Sequence, residues 1–275
     1  MVLSINRVAT VCLLVGAITC SATSAAVETV EEHLIYSLHW GLISVGEAEL
    51  KTGTKALPSG GAPVPYSEFV VRTSGVADKL FKVRTKIEAW SDPESGQPLL
   101  YMKEQREGKT ERDIELYFDW EANTVEYWRN GERREPLPIP EAAVDPLSLL
   151  LILRASAHES DEPSLYTATD GKRIVQIGIN PVGEKTVRTG RGRVAAQKYS
   201  VSTRELEGVF EKSPDASIEL WFSNDDRRYP VRMESEVIVG SFHGTLQSVE
   251  GVEWEPPRSE VEATRPGGHR KSRSR

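Results

Sequence analysis

Cysteine is almost missing from this chain of 275 residues. Both cysteines, Cys12 and Cys20, lie in an N-terminal segment that we expect to be removed. The mature chain would then have no thiol, which excludes disulfide bonds, cysteine–zinc sites and thiol catalysis. Its fold must be held by a hydrophobic core and β-ladder hydrogen bonds. A chain of about 250 residues is long enough for this, because such chains bury roughly 70 % or more of their unfolded surface.

The N-terminal apolar run is too short to span a bilayer. It extends from Val8 to Cys20, about 13 residues, whereas a transmembrane helix needs about 20. It follows the single cation Arg7 and precedes the small residues 21–26, which is the three-part pattern of a secretory signal peptide. We therefore expect residues 1–26 to be a signal peptide and the mature protein to be exported to a bacterial periplasm. A lipid anchor on Cys20 is the alternative, although the usual leucine three residues earlier is missing.

The chain also lacks an excess of positive charge. It has 34 Lys and Arg against 41 Asp and Glu, a formal net charge of −7. No whole-chain basic field exists to bind nucleic acid, so we expect no nucleic-acid partner. The exception is the basic segment at residues 265–275. We expect residues 255–275 to form a disordered tail that is either simply solvated or attached to anionic envelope surfaces.

Histidine is scarce as well, and no catalytic motif is present. The five histidines include no i,i+4 pair, and no carboxylate follows them at a metal-site spacing. We therefore expect no metal, no cofactor and no catalytic residue, and we expect the protein not to be an enzyme. The histidines are His33, His39, His158, His243 and His269.

Alternation of apolar and polar residues repeats along most of the chain. Residues 34–40 show it first, and residues 114–118 and 125–127 predict a hairpin. Residues 52–65 are rich in Gly and Pro and predict a surface loop. About eleven to thirteen short strands are predicted in all, which is typical of a sandwich, a barrel or an open curled sheet. The later strands are predicted at residues 173–179, 185–189, 193–201, 217–222, 231–239 and 242–249.

One segment predicts a helix. Asp145 is a good N-cap, Pro146 suits the first helical position, and Arg154 is a cation suited to the C-terminal end. The residues between them are apolar on nearly every face, so the helix must be buried on most sides. It either fills a core or forms a movable plug over an apolar pocket in the concavity of a curved sheet.

Several short motifs follow one another between residues 36 and 249. They are Tyr36-Ser37-Leu38-His39-Trp40-Gly41-Leu42 with Gly46-Glu47-Ala48, Leu80-Phe81, Asp145-Pro146-Leu147-Ser148 with Arg154, Trp221-Phe222-Ser223-Asn224-Asp225 with Tyr229-Pro230-Val231-Arg232, and Gly240-Ser241-Phe242. In order and spacing they resemble the exported bacterial family catalogued as domain of unknown function 3108. The loop at residues 52–65 and the basic tail depart from the family's usual pattern.

The resemblance implies a periplasmic domain without an established activity, and it supplies no catalytic residues. Its architecture is similar to that of the lipoprotein carriers LolA and LolB. We therefore expect a mainly β fold, a strongly curled antiparallel sheet (an open or incomplete barrel) with one buried apolar helix, as a single domain over residues 27–254.

The leading functional hypothesis is a non-enzymatic periplasmic carrier. Its partner would be an apolar small molecule, such as a lipid or lipopeptide, or a lipoprotein, held between the sheet and the helix. A polysaccharide-binding module and an assembly factor without a small ligand are the alternatives. The residues predicted to contact the ligand are Leu149, Leu150, Ile152, Leu153, Trp40 and Phe81.

Overall fold

A computed structural model describes residues 29–157, 162–202, 217–237 and 240–258. The expected signal peptide and residues 259–275 of the expected tail lie outside the described residues. The described part contains two helices, α1 (Gly75–Leu80) and α2 (Pro146–Ser156). Its strands are β1 (Thr29–Trp40), β2 (Ile43–Lys55), β3 (Val64–Thr73), β4 (Val83–Ser91), β5 (Pro98–Glu107), β6 (Thr110–Asp119), β7 (Thr124–Arg129), β8 (Glu132–Arg133), β9 (Leu137–Pro138), β10 (Ala143–Val144), β11 (Ser164–Thr169), β12 (Ile174–Thr189), β13 (Gly192–Val201), β14 (Ser217–Ser223), β15 (Pro230–Val237) and β16 (Gly240–Glu250).

All these strands belong to one sheet. Its order is β10-β11-β12-β13-β14-β15-β16-β1-β2-β3-β4-β5-β6-β7-β8, with β9 beside β7. β10 and β11 pair in parallel, and the other described pairs are antiparallel. The end strands β10 and β8 do not pair with each other, so the sheet is not closed into a barrel. The prediction of a mainly β fold is confirmed.

The alternating pattern decides which face of the sheet is buried. In β1, Leu34 and Tyr36 are buried, and they pair with the buried Leu50 and Ala48 of β2. Side chains on one face of paired strands lie next to each other, so these residues begin a continuous inner face. Asn130 and Gly131 both have positive φ, 51° and 77°. This is the geometry of a tight two-residue hairpin, and it turns β7 into β8.

The largest core cluster joins strands that are far apart in the sheet. Leu116 of β6 and Tyr127 of β7 belong to it together with Leu246 of β16 and Val194 of β13. A Cβ atom on Gly171 would lie 2.3 Å from Leu116 Cδ2 and 2.6 Å from Tyr127 Cδ2. The turn between β11 and β12 therefore lies directly on β6 and β7, near the opposite end of the sheet.

Helix α2 begins where the sequence predicts and ends at Ser156, two residues after the predicted end at Arg154. The Asp145 carboxylate accepts hydrogen bonds from the backbone N–H groups of Leu147 and Ser148, both at 2.9 Å, and Pro146 is the first helical residue. These bonds satisfy two of the N–H groups that a helix start leaves unpaired. The helix contacts both β4 and β11, which belong to different halves of the sheet.

The structure corrects several predicted boundaries. Residues 52–65 are a loop only at 56–63, because β2 continues to Lys55 and β3 begins at Val64. Residues 173–179 and 185–189 are parts of one strand, β12, whose pairing with β13 shifts register between Pro181 and Gly183. That irregularity interrupts the alternation, which made one strand look like two.

Some elements were not predicted at all. β11, the two-residue strands β8, β9 and β10, and the six-residue helix α1 are absent from the prediction. A two-residue strand carries no periodicity to detect. Helix α1 has only six residues, fewer than the window in which a helical period can be recognised.

Candidate functional site

Two cavities with mostly apolar walls lie along the inner face of the sheet. The larger, of about 680 Å³, is lined by β1–β4, β14–β16 and α1. The smaller, of about 430 Å³, lies against α2 and is lined by β5 and β11–β14. Ile218 and Leu220 of β14 line both cavities. The two spaces therefore adjoin at β14 and together run under much of the sheet.

The floor of the larger cavity is a row of side chains in register across four strands. Leu38 pairs with Gly244, Gly244 with Met233, and Met233 with Leu220. Gly244 has no side chain, and a Cβ atom there would lie 3.2 Å from Leu38 Cδ2 and 3.8 Å from Met233 Cε. This glycine therefore leaves part of the cavity open between its two neighbours.

Exposed apolar side chains surround the mouth of the larger cavity, and we call them the collar. Leu42 in the β1–β2 turn is fully exposed between Trp40 and Ile43, which line the cavity, and Leu80 in α1 is 79 % exposed. Trp40 stacks on Phe242 with 5.9 Å between ring centroids. Concentrated apolar exposure of this kind marks an interaction site or a ligand entrance, whereas scattered apolar residues do not. The collar consists of Trp40, Leu42, Ile43, Val76, Leu80, Phe81 and Phe242.

Helix α2 forms one wall of the smaller cavity. Leu149 and Leu153 are buried against β11–β14, and both line the cavity. Leu150 is half-buried, touches both core clusters and also lines the cavity. Leu147 is buried in the larger core cluster and does not line the cavity. The same helix thus has leucines that fill a core and leucines that face the smaller cavity.

An ion pair ties the C-terminal end of α2 to β1. Arg154 Nη1 donates to Glu32 Oε2 at 2.7 Å and Nη2 donates to Oε1 at 3.1 Å, with the two side chains 16 % and 12 % exposed. The hydroxyls of Tyr229 and Thr52 also donate to Glu32, at 3.0 and 3.3 Å. Burial alone would raise the pKa of Glu32, but these hydrogen bonds and the charge of Arg154 lower it below its ordinary value. The bidentate geometry fixes the direction of the helix.

Three charged residues interrupt the apolar wall of the smaller cavity. They are Lys103 of β5 and, from the β11–β12 turn, Asp170 and Arg173. Burial lowers the pKa of Lys103, although the charge of Glu107 acts in the opposite direction. A lysine in such surroundings indicates a candidate functional site, because burying a cation raises the free energy of the fold unless an anion pairs with it.

The six predicted contact residues do not form a single site. Leu149, Leu150 and Leu153 line the smaller cavity. Ile152 packs against the core cluster next to that cavity and does not line the cavity itself. Trp40 and Phe81 line the larger cavity and belong to its collar. The two groups are brought together only through Ile218 and Leu220, which the sequence analysis did not select.

Lys103 was also missed. Its signal was present, because it follows Tyr101 at the two-residue spacing of an inward-facing strand. Lysine side chains are mostly exposed in proteins, so polarity alone gives no reason to select this one.

Most histidines and tryptophans of the described residues are in ion pairs, in stacked rings or in the core. His33 lies between Glu49 and Glu250, at 2.9 and 3.1 Å, and His39 stacks on His243 with 5.2 Å between centroids. His158 and His269 lie outside the described residues. Trp90, Trp221 and Trp254 are buried, Trp120 and Trp128 are half-buried, and they do not form a row on the surface.

Within the described ranges, no group of three or more His, Cys, Asp or Glu side chains is arranged to hold a metal ion. No helix in the same part of the chain is long and apolar enough to cross a membrane.

Comparison with known proteins places the chain in a family. In structure it is similar to the "Beta-barrel-like Protein of Domain of Unknown Function DUF1849" from Brucella abortus, with a TM-score of 0.55 and 13 % sequence identity over 83 % of this chain and 100 % of that one. A protein from Parabacteroides distasonis described as a "putative lipoprotein" has a TM-score of 0.33 at 12 % identity, over 81 % of this chain and 96 % of that one, too low to support an argument. No curated protein shows significant sequence similarity to the chain. The sequence profile of the family described as "Protein of unknown function (DUF3108)" matches residues 35–247, so the chain belongs to that family.

Proposed function

We propose that this protein is a non-enzymatic carrier of the cell envelope that binds an apolar, acyl-chain-like ligand in the hollow between its sheet and its helices. The observation that carries the proposal is the larger cavity, about 680 Å³ in volume with a mostly apolar wall. Small-molecule sites are typically apolar clefts of about 300–1,000 Å³. We assign no catalytic step to either cavity.

The proposal includes a curled sheet of the LolA and LolB type. It is supported by the core cluster shared between β6–β7 and β13–β16, and by the contact of Gly171 with Leu116. A sheet whose distant strands share one core must bend around it. The ligand would then lie in the concavity, with α2 along one side.

Location in the envelope is part of the proposal and depends on the sequence. The pattern of residues 1–26 is that of a secretory signal, and no thiol remains after it. A periplasmic protein that binds an acyl chain would shield that chain from water between membranes. A lipoprotein's acyl chains would suit the same hollow as a free lipid.

A polysaccharide-binding module is less favoured, because the tryptophans do not form an exposed row.

A glycine substitution tests the larger cavity directly. In Gly244→Leu the new side chain would extend into the cavity between Leu38 and Met233, and the strand backbone at Gly244 needs no positive φ. Gly178→Leu is the matched control: it is also a mid-strand glycine without positive φ, it meets only Ser202 Cβ at 3.5 Å, and it lines neither cavity. Binding of a dansyl-labelled fatty acid is measured by fluorescence titration.

We expect saturable binding by the wild type and by Gly178→Leu, and at least about tenfold weaker binding by Gly244→Leu, since lost apolar contact of a few methylene groups is worth about 1–3 kcal/mol. Absence of saturable uptake by the wild type would contradict the proposal. Native mass spectrometry of protein purified from envelope extract then identifies the ligand class, because a lipid, a glycan and a lipidated protein differ in mass.

A further inference from the structure

Lys103 lies on the inner face of the sheet among apolar neighbours. In β5 it pairs with Ile87 of β4 on one side and with Ile114 of β6 on the other. Both isoleucines pack against the larger core cluster. Because directly paired residues share a face of the sheet, the lysine side chain is on the core side, where it lines the smaller cavity opposite α2.

The ammonium group of Lys103 has no protein partner among the described residues. Two carboxylates act on its charge, those of Glu107 and Asp170. Glu107 instead accepts hydrogen bonds from Thr85 Oγ1 and Gln105 Nε2, both at 2.8 Å. The Asp170 carboxylate accepts from the backbone N–H groups of its own turn, at 3.0 and 3.3 Å. Both carboxylates therefore accept hydrogen bonds from other groups. The half-buried ammonium group of Lys103 is available to a ligand that enters the cavity.

The surroundings of Lys103 are positively charged on balance. Arg173 lines the same cavity, and the charges of Arg112 and Lys172 also act on Lys103. The charged residues that line the cavity, Lys103, Arg173 and Asp170, sum to a formal charge of +1. An excess of positive charge on low-dielectric walls attracts anionic ligands.

Apolar walls lead from this charged end toward the larger cavity. Beyond Lys103 the wall consists of leucines of α2 and apolar residues of β12 and β14, and it continues through Ile218 and Leu220. A charged end followed by an apolar path matches a molecule with an ionic head and a hydrocarbon chain. The apolar residues beyond the charged end are Leu149, Leu150, Leu153, Val175, Ile177 and Leu220.

We propose that the ligand is an anionic amphiphile, whose carboxylate or phosphate head pairs with Lys103 while its chain lies along α2 toward the larger cavity. This proposal deepens the proposed function and depends on it. The ligand's anion would replace the water that partial burial removes from the ammonium group of Lys103.

The test compares a charged and a neutral probe on three proteins. The probes are a dansyl-labelled fatty acid and its methyl ester, which have the same chain and differ in the head. The proteins are the wild type, Lys103→Met, and the control Lys109→Met, which removes an exposed lysine from the β5–β6 turn. Lys103→Arg keeps the cation and verifies that charge is what matters.

We expect the wild type, Lys109→Met and Lys103→Arg to bind the acid at least about tenfold more tightly than the ester, as a charged hydrogen bond at a shielded site provides. Lys103→Met should lose this preference while binding the ester as before. Dodecyl phosphate should displace the probe, whereas inorganic phosphate at the same concentration should not.

Two outcomes overturn the headgroup site. If the wild type binds acid and ester equally, the apolar cavity functions but Lys103 does not select the head. If inorganic phosphate displaces the probe as well as dodecyl phosphate does, the site binds free anions rather than an amphiphile. Failure of the wild type to bind either probe would instead contradict the proposed function itself.

The collar carries a second and independent inference, because its side chains are exposed although they are apolar. Leu42, Leu80 and Phe81 are among them, and α1 buries none of its residues. Exposed cations stand beside these side chains in α1 and just after it, at Lys79 and Lys82. Apolar side chains next to cations are the composition of a surface that enters the headgroup region of an anionic bilayer.

We infer that the collar docks on an anionic lipid surface and places the mouth of the larger cavity against it. An apolar chain could then pass between bilayer and cavity without crossing water. Trp40 and Phe242 suit this position, because aromatic side chains favour the membrane–water interface.

Co-sedimentation with lipid vesicles tests this inference. The double variant Leu42→Ser with Leu80→Ser removes two exposed collar residues, and Leu165→Ser is the control, since Leu165 of β11 is 69 % exposed outside the collar. We expect the wild type and the control to bind phosphatidylglycerol vesicles at least about tenfold more strongly than the double variant does, as loss of buried apolar area predicts. Equal binding of all three, or self-association of the wild type without vesicle binding, would overturn the inference.

Discussion

Truncation of Leu150 to alanine tests whether α2 only fills a core or also borders a cavity. Leu150 and Leu147 lie one turn apart on α2, and both are leucines in the same helix. Leu147 is 4 % exposed in the larger core cluster, whereas Leu150 is half-buried and lines the smaller cavity. Alanine has the same or better helix propensity, so the two substitutions differ only in packing.

The expected magnitudes follow from how many contacts each side chain loses. Leu147→Ala removes a side chain surrounded by protein, and such truncations cost about 2–5 kcal/mol. Leu150 already faces empty space on one side, so fewer dispersion contacts are lost and its truncation should cost less than about 2 kcal/mol. The difference between the two variants should therefore be at least about 1 kcal/mol, which is well above the error of a denaturation measurement.

Urea unfolding followed by far-UV circular dichroism measures both values. The slope of the free energy of unfolding against urea should be the same for both variants and the wild type, because neither substitution changes the surface exposed on unfolding appreciably. Equal costs for Leu147→Ala and Leu150→Ala, together with no saturable uptake of a fatty-acid probe by the wild type, would refute the cavity and leave α2 as core filling.

Three further predictions concern the ion pair, acid stability and export. Glu32→Gln should destabilise the fold by about 1.5–3 kcal/mol in urea unfolding, because Arg154 loses its charged partner at a largely buried site; Glu132→Gln, which breaks an exposed pair with Arg134, should change stability by less than about 0.5 kcal/mol. The folded-state pKa of Glu32 lies below its ordinary value of 4.5, so between these two pKa values the unfolded chain binds more protons than the folded chain. The contribution of Glu32 to the free energy of unfolding should therefore be fully present above pH 4.5 and be lost as the pH falls through the folded-state pKa. In Glu32→Gln this acid-dependent loss should be smaller. N-terminal sequencing of the periplasmic form should begin at Ala26 or Val27, and an intact Met1 on a membrane-embedded protein would contradict export.

Local signals in the sequence determined the class of the fold and the start of its main helix. Alternation over residues 34–40 predicted β1, alternation over residues 114–118 and 125–127 predicted the β6–β7 hairpin, and Asp145-Pro146 predicted the start of α2. Each of these features is fixed by residues within a few positions of one another. Backbone propensity and side-chain capping act over that range, so a single sequence is enough to reveal them.

The register irregularity in β12 and the short strands at the sheet's end depended on neighbours distant in the chain. Pairing partners decide where a strand bends or ends, and the alternating pattern contains no information about them. For the same reason the sequence could select the leucines of α2 as apolar but could not distinguish Leu147, in the core, from Leu150, beside a cavity.

How the residues of the candidate site come together was decided by tertiary structure. Trp40 and the leucines of α2 were selected from the sequence, but Ile218 and Leu220, which join their two cavities, were not. The anchor of α2 pairs Arg154 with Glu32 across 122 positions of the chain, and Lys103 faces leucines of a helix more than forty residues away. A cavity is the space that remains when distant strands pack against one another, and the charge of its wall depends on which cations have no carboxylate partner there. The shape and the charge of a cavity are not properties of any one segment. Only the folded arrangement of the sheet and α2 determines them.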